Sequence, residues 1–191
     1  MLNIIFGING VGKDAVGQIL KQQGFSVTSW TRIALWSIKA LDSYDGNEFI
    51  EQEKYELLSQ KENVQIIDQV FDEKLLEIAN SKQEVLLLAH LVIIKDDKGV
   101  IEYHPNKEFL DRFVPLSDWL FYLTAEPEEI LARRLKDESF RNRLLDLDQV
   151  IRHQHQADIV WNSLGKPKKG KRVICNNDLA EATSEISTLL Y

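Results

Sequence analysis

Short apolar runs alternate with longer amphipathic segments along the chain. The first run, Leu2–Phe6, ends at a glycine and predicts a β-strand. Residues 14–23 then carry apolar positions at helical spacing until Gly24, and residues 25–30 alternate as a second strand would. A strand, a glycine-rich loop, a helix and a strand in this order predict one βαβ unit, and a parallel sheet follows from it.

The next part of the chain lacks a strand pattern. Residues 31–80 carry apolar positions at mostly helical spacing, with a break at residues 42–47. Because no strand interrupts them, we expect these residues to form a helical insertion between two strands.

The remaining chain alternates strands with helices. Strands are predicted at residues 85–89, 119–123 and 172–175, and a hairpin at residues 91–95 and 100–103. Helices are predicted from Pro127 onward, at residues 150–164 and at residues 179–190. This alternation predicts an α/β sandwich with a parallel sheet of about five strands.

The composition of the chain narrows the classes of function that it can have. The chain has 191 residues and a net charge of −7, so it fits one domain, and its acidic surface disfavours a nucleic-acid partner. The single cysteine, Cys175, excludes an internal disulfide and a cysteine-rich metal site. The amino terminus lacks a signal-peptide pattern, and the longest apolar run, residues 85–94, is too short to span a bilayer. We therefore expect a cytoplasmic protein with no membrane partner.

The strongest chemical signal follows the first strand. The residues Gly7-Ile8-Asn9-Gly10-Val11-Gly12-Lys13 match the pattern G-x-x-x-x-G-K. Glycines let such a loop curl with its backbone N–H groups inward, the following helix adds the positive end of its dipole, and the lysine reaches the outer phosphates. The predicted nucleotide-binding residues are Gly7, Asn9, Gly10, Val11, Gly12, Lys13 and Asp14.

Asp14 departs from the pattern, which usually has Ser or Thr after the lysine to hold Mg²⁺. Two interpretations stay open for this carboxylate. It could coordinate Mg²⁺ directly or through water, since it is a hard oxygen ligand. Alternatively, it could only cap the helix, where its charge meets the dipole favourably.

A second signal is a group of four arginines within eleven positions. They are Arg133, Arg134, Arg141 and Arg143. The rigid guanidinium fork suits a transferring phosphoryl group. Nearby acids at Glu129, Asp137, Glu138 and Asp146 also allow a solvated helix face with paired charges, and composition alone favours that interpretation.

Taken together, these segments resemble the adenylate kinases of the archaeal type. The shared features are the glycine loop and a run like I-L-x-R-R-L-x-D-E-x-x-R-N-R at residues 130–143. The likeness continues through His153-Gln154, Gly165, Val173-Ile174 and Asn176-Asn177, and through an apolar strand, histidine and Lys-Gly hairpin at residues 85–99. It covers most of the chain and is patchy between residues 31 and 80.

The resemblance implies one P-loop kinase-like domain over residues 1–191, a three-layer P-loop NTPase sandwich that binds ATP and Mg²⁺. Its parts would be a core (1–30, 83–133 and 153–191), a helical insertion that binds the nucleoside monophosphate (31–82) and a short lid (134–152). Lys13, Arg133, Arg141 and Arg143 would act on the phosphates, and Asn176 would lie near adenine. The partners implied are small nucleotides, and the family also allows a homo-oligomer.

Two departures from the family bear on activity. The family's central strand ends in an aspartate near Mg²⁺, where this chain has Leu88, and its acceptor-binding arginine is absent near Tyr55. Lys54 or Arg32 could take the place of that arginine. Two hypotheses follow: a kinase that transfers the γ-phosphoryl group of ATP to a nucleoside monophosphate or similar acceptor, and a catalytically weak or inactive nucleotide-binding protein.

Three weaker signals remain. His90 could be catalytic, could orient the acceptor, or could be a core histidine with satisfied hydrogen bonds. The basic run at residues 165–172 is interpreted as a solvated turn rather than a nucleic-acid patch. A P-loop GTPase is disfavoured because Asn106-Lys107-Glu108-Phe109 lacks the final aspartate of the guanine-binding pattern.

Overall fold

Seven strands are present in the computed structural model, which describes residues 1–44, 52–58, 60–94, 101–103, 107–136 and 146–191. They are β1 (Leu2–Phe6), β2 (Ser26–Ser29), β3 (Val85–Ala89), β4 (Val92–Ile94), β5 (Ile101–Tyr103), β6 (Trp119–Thr124) and β7 (Gly170–Cys175). Five of them form one parallel sheet in the order β2-β3-β1-β6-β7. The predicted five-stranded parallel sheet is confirmed.

Eight helices lie in the described part of the chain. They are α1 (Lys13–Gln22), α2 (Trp30–Ser37), α3 (Gln52–Leu58), α4 (Lys61–Asn80), α5 (Lys107–Phe113), α6 (Pro127–Lys136), α7 (Leu147–Ser163) and α8 (Leu179–Leu190). The sequence pattern did not indicate α5, which has only seven residues. Trp30 begins α2 instead of ending a strand, because the Ser29 side chain accepts a hydrogen bond from the backbone N–H of Arg32 and caps the helix.

The central strands are buried from end to end. Both β1 and β3 are unbroken runs of buried residues, as parallel strands covered on both faces require. Leu88 of β3 pairs with Ile5 on one side and with Ser29 on the other. The segments that follow these three strands therefore begin at one level, along the carboxyl edge of the sheet.

Helix α1 packs closely on the sheet. A Cβ atom added to Gly17 would lie 2.7 Å from Leu88 Cδ1 and 3.3 Å from Val27 Cγ1. The glycine therefore allows α1 to approach β2 and β3, and α8 packs against the helix as well. This close approach fixes where the amino end of α1 lies, next to the glycine loop.

The hairpin prediction is confirmed for its strands. Val92 pairs with Tyr103 and Ile94 with Ile101 in an antiparallel arrangement. Its connection at residues 95–100 lies outside the described residues. Strand β4 contacts α7, which brings the hairpin beside the core.

The predicted division into core, insertion and lid stays a prediction. Helices α2, α3 and α4 lie between β2 and β3 in the chain, with α2 packed on α4. Residues 137–145 of the predicted lid, with Arg141 and Arg143, lie outside the described residues. Among the described helices, none is both long and apolar enough to cross a membrane.

Candidate phosphate-binding site

The loop between β1 and α1 has a shape that only glycine permits at two positions. Gly10 and Gly12 have φ angles of 87° and 93°, in the left-handed region. A Cβ atom at Gly10 would lie 2.8 Å from Arg134 Cγ, and one at Gly12 would lie 2.5 Å from Asn176 Nδ2. Glycine is required there both for the backbone conformation and for the packing.

Two carbonyl groups of the loop are held from outside. The Asn9 carbonyl accepts hydrogen bonds from Arg134 Nε at 2.9 Å and Nη2 at 2.7 Å. The Val11 carbonyl accepts from Arg133 Nη1 at 3.0 Å and Asn176 Nδ2 at 2.7 Å.

The bound carbonyls fix the direction of the amides. The C=O and N–H of a trans peptide point in opposite directions. The N–H groups of Gly10 and Gly12 therefore point away from the side chains that hold the preceding carbonyls. This orientation is the one that a phosphate-binding loop needs.

Lys13 brings a positive charge to the same loop. It is buried, and its Nζ donates to the Ile8 carbonyl at 3.2 Å. Helix α1 begins at this residue, and its N-cap, Gly12, provides no side-chain cap. The first-turn N–H groups and the dipole of α1 are therefore directed at the loop together with the ammonium group.

His90 follows β3 and contacts the loop. Its Nδ1 lies 3.2 Å from Lys13 Nζ and 3.2 Å from the Gly7 carbonyl oxygen. A protonated Nδ1 would donate to Gly7, whereas an unprotonated Nδ1 would accept from Lys13. In either state the imidazole lies against the loop.

Arg133 contacts the loop, and its described contacts are with protein. Its Nε pairs with Glu129 at 2.9 Å, and its Nη2 donates to the Asn176 carbonyl at 2.7 Å. In this structure Arg133 thus braces the loop, and its contact with a nucleotide phosphate stays a prediction.

Asn176 is also a brace. It follows β7, is 1% exposed, and its N–H donates to the Thr124 carbonyl. Its Oδ1 is buried and has no hydrogen-bond partner among the described residues. The predicted position near adenine stays a prediction, and the structure adds a direct contact between Asn176 and the phosphate loop.

Arg134 and His153 also belong to this site, and the sequence pattern did not indicate their contacts with the loop and with each other. Arg134 is 2% exposed and His153 is fully buried. His153 shares the buried face of α7 with Val150, Ala157 and Val160. That helical spacing was visible in the sequence and could have indicated a buried histidine.

Asp14 could contribute to a Mg²⁺ site only together with the nucleotide. It is exposed in the first turn of α1. The described residues contain no group of three or more metal-ligating side chains that could hold a metal alone. Magnesium commonly takes one or two carboxylates plus substrate phosphates, and a single carboxylate beside the loop fits that pattern.

A cavity of about 390 Å³ opens near the carboxyl end of β2. Its walls are aromatic and aliphatic, with an Asp72–Arg112 ion pair and Glu108 among the lining residues. The apolar members are Trp30, Ile67, Phe71 and Phe109. Trp30 follows Ser29 of β2, and β2 lies two strand spacings, or roughly 10 Å, from β1, which leads into the phosphate loop.

The basic run near β7 is engaged within the protein. Lys168 and Lys169 pair with the buried carboxylate of Asp118 at 3.7 and 3.3 Å. Lys171 Nζ donates to the carbonyls of Trp161 and Leu164 at the end of α7. These contacts support the interpretation of a turn that joins α7 to β7.

A family model described as an AAA domain matches residues 4–146. The chain belongs to the AAA domain family. No curated protein matches this AAA domain protein in sequence.

Solved structures resemble the AAA domain protein over its whole length. Shikimate kinase from Bacteroides thetaiotaomicron is 10% identical, with a TM-score of 0.60 over 100% of this chain and 98% of that one. Shikimate kinase from Acinetobacter baumannii in complex with shikimate is 17% identical, with a TM-score of 0.58 over 99% and 92%. The YorR protein of Bacillus subtilis in complex with phosphorylated GDP is 15% identical, with a TM-score of 0.55 over 100% and 95%.

These comparisons establish the fold of this AAA domain protein as that of a P-loop kinase. At such low sequence identities, the similarity shows the fold and nothing about the substrate. They do not single out the archaeal adenylate kinases, so that part of the resemblance belongs to the proposal below.

Proposed function

We propose that the protein is an ATP-dependent phosphotransferase whose acceptor is a nucleoside monophosphate or a similar small phosphate. The observation that carries this proposal is the braced glycine loop. The carbonyls of Asn9 and Val11 are held outward, and Lys13 lies across the loop. These features direct two amides and an ammonium group at one place, where the charge of a triphosphate would be neutralised.

The proposed reaction moves one phosphoryl group. The bond between the γ-phosphorus and the β,γ-bridging oxygen of ATP breaks, and a new bond forms to an oxygen of the acceptor, giving ADP and the phosphorylated acceptor. Such a transfer depends mainly on positioning and charge neutralisation. Lys13 and the loop amides would hold the donor, and Arg141 and Arg143 are proposed to reach the phosphates from the lid.

Magnesium is proposed to accompany the nucleotide, with Asp14 as the nearby carboxylate. When bound, it would neutralise negative charge on the outer phosphates. Asp14 would orient it directly or through water from the first turn of α1.

The cavity beside Trp30 is the proposed acceptor site. Aromatic walls suit the flat face of a nucleobase, since stacking on aromatic side chains tolerates any base. Neither Arg32 nor Lys54 lines this cavity. Arg32 is buried, and its Nε donates to the Tyr44 carbonyl at 3.3 Å. Both residues stay candidates for contact with the acceptor phosphate.

One observation favours the second hypothesis, a nucleotide-binding protein with weak or no turnover. Strand β3 ends in Leu88 and Ala89, and the residue that reaches the loop from its end is His90 rather than a carboxylate. An imidazole offers no anionic oxygen for Mg²⁺. Binding of ATP is common to both hypotheses, and acceptor-dependent turnover separates them.

A coupled ADP-release assay with Mg-ATP tests the proposal. The acceptor panel should contain AMP, GMP, CMP, UMP and dTMP, with shikimate as an acceptor that offers a hydroxyl. We expect release that depends on one or a few monophosphates. Tight ATP binding without any acceptor-dependent release would favour the second hypothesis, and release with shikimate alone would correct the acceptor class.

Lys13→Ala tests whether the lysine of the glycine loop contributes to ATP binding. Removing a charge-assisted contact to phosphate should weaken ATP binding roughly 10- to 100-fold in a titration calorimeter. Lys21→Ala, in the last turn of the same helix, is the control and should bind normally. Unchanged affinity in Lys13→Ala would count against the loop as the nucleotide site.

The acceptor side has its own test. Trp30→Leu should raise the KM for the acceptor and leave ATP affinity unchanged, because Trp30 lines the cavity. Trp36→Leu is the control on the same helix, since Trp36 does not line this cavity. Equal acceptor KM values for Trp30→Leu and the wild type would remove the cavity from the proposal.

A further inference from the structure

Arg134 and His153 form a buried pair beside the phosphate loop, and the proposed reaction gives neither of them a role. Arg134 belongs to α6 and His153 to α7. Arg134 Nη2 lies 3.2 Å from His153 Nδ1, and the same nitrogen donates to the Asn9 carbonyl at 2.7 Å. His153 Nε2 lies 3.2 Å from the Val92 carbonyl on β4.

The partners of His153 define its tautomer. A guanidinium group only donates hydrogen bonds, and a carbonyl only accepts them. Nε2 therefore carries the proton and donates it to Val92, and Nδ1 accepts from Arg134. Burial and the charges of Arg134 and Lys13 lower the pKa of His153 to about 4, so the ring is neutral near pH 7.

The tautomer in turn fixes Arg134. A free arginine side chain has large rotamer freedom, which two acceptors at a defined separation remove. Here the acceptors are the Asn9 carbonyl and His153 Nδ1. The Arg134 stem also lies against Gly10, where an added Cβ would be 2.8 Å from Arg134 Cγ. The guanidinium is thus held in one place against the outside of the loop.

We propose that His153 is a positioning residue for phosphate binding: it holds Arg134, and Arg134 holds the Asn9–Gly10 peptide with its N–H directed at the phosphates. This inference rests on the proposed function, because it requires nucleotide phosphates at the glycine loop. His153 itself touches no phosphate. Its effect passes through one guanidinium group and one peptide plane.

The test compares variants of the full chain that differ at His153. His153→Leu keeps a buried side chain and removes the acceptor, whereas His153→Asn retains an acceptor oxygen. The probe is inorganic tripolyphosphate, which reports on the phosphate site alone. We expect His153→Leu to bind it about tenfold more weakly, as the loss of one well-directed hydrogen bond predicts, and His153→Asn to recover most of that loss.

A spectroscopic readout distinguishes positioning from general stability. In the wild type, the Gly10 amide should shift on addition of tripolyphosphate in a ¹H–¹⁵N spectrum. The shift should be much smaller in His153→Leu. Val160→Ala, a buried substitution on the same helix away from the loop, should lower stability but keep both the affinity and the Gly10 shift.

A double-mutant cycle tests the route through Arg134. If His153 acts only through Arg134, then Arg134→Met combined with His153→Leu should bind tripolyphosphate no more weakly than Arg134→Met alone. Additive losses would overturn the proposal. Should His153→Leu fail to fold, the cycle is run with His153→Phe, which keeps a buried ring and removes the acceptor, on the same Arg134→Met background, where the His153 substitution should again have no added effect.

The two proposals fail in different ways. If the wild type does not bind tripolyphosphate or ATP, the proposed function fails. If the wild type binds and His153→Leu binds equally well with the same Gly10 shift, the positioning role is overturned and the proposed function stands.

Discussion

At the scale of single residues, backbone conformation and burial decide which positions are sensitive. Gly10 and Gly12 combine positive φ angles with close neighbours, so they tolerate no side chain. Lys39 also has a positive φ, 58°, and is the residue at which the chain leaves α2. Its N–H bonds to the Trp36 carbonyl, which satisfies the end of the helix.

Lys39→Gly should raise the free energy of unfolding by about 0.5–1 kcal/mol, because glycine adopts the left-handed conformation without strain and this gain exceeds its entropy cost. Urea unfolding measures the change. Gly24→Ala is the opposite substitution at a second position with positive φ. Gly24 has a φ of 96°, and an added Cβ would meet nothing within 4 Å. Backbone strain alone should therefore lower the free energy of unfolding of Gly24→Ala by about 1 kcal/mol. A destabilised Lys39→Gly would show that the lysine side chain has a role of its own.

Because His153 is buried in its neutral form, we expect the free energy of unfolding to fall at acidic pH. Its pKa is lowered from 6.5 to about 4 in the folded protein, first by burial. Between these values the unfolded chain binds more protons, so the free energy of unfolding falls as pH falls through that window, by about 3 kcal/mol. Urea unfolding from pH 7 to 4 should show a smaller fall in His153→Asn than in the wild type.

The matched control for this pH series is His155→Asn, at an exposed histidine two residues along α7. It should keep the fall seen in the wild type. Identical pH dependence in His153→Asn and the wild type would mean that His153 is not held neutral by its surroundings.

At the scale of elements, the position of the loop depends on how α1 packs. Gly17 lets α1 approach Leu88, and the helix brings its amino end to the loop. The loop itself receives contacts from residues far along the chain, on α6 and after β7. The site is therefore a junction of elements whose mutual distances matter.

Gly17→Val should lower the free energy of unfolding by about 1–3 kcal/mol, because its side chain would overlap Leu88 and force α1 from the sheet. Thermal and urea unfolding measure the loss. Gln18→Val, on the exposed side of the same helix, controls for the lower helix propensity of valine and should lose much less. Equal losses would show that the close approach of α1 does not contribute to stability.

The sequence predicted the elements well where local signals were strong. The glycine loop, the strand before it, the five-stranded sheet and the helix at Pro127 all follow from patterns within short windows. Helix α5 was missed because seven residues give too little periodicity. The braces of the loop were not predictable in this way, since Arg134 meets Asn9 and Asn176 meets Val11 across long chain separations.

At the scale of the whole molecule, the proposed ATP site exists in the native state only, so ATP would bind that state alone. Binding of such a ligand raises the free energy of unfolding by mass action. The site draws on elements from both ends of the chain, from β1 to the residue after β7, so an unfolded chain cannot form it.

ATP with Mg²⁺ at about 100 times its Kd should stabilise the protein by about 2.7 kcal/mol, which for a chain of this size raises the Tm by roughly 5–10 °C. Differential scanning calorimetry measures the shift. Adenosine at the same concentration should raise the Tm far less, because it lacks the phosphates that the loop binds. Equal Tm shifts with ATP and adenosine would mean that the protein binds the nucleoside part and that the phosphates contribute nothing.

Glycine-selective ¹⁵N labelling shows whether the amides of the glycine loop bind phosphate. The chain has nine glycines, so a ¹H–¹⁵N spectrum is simple to assign. On titration with a non-hydrolysable ATP analogue, we expect large shifts of the Gly10 and Gly12 amides and little change at Gly24 and Gly165. Saturable binding that leaves Gly10 and Gly12 unshifted would show that the loop amides do not bind the phosphates.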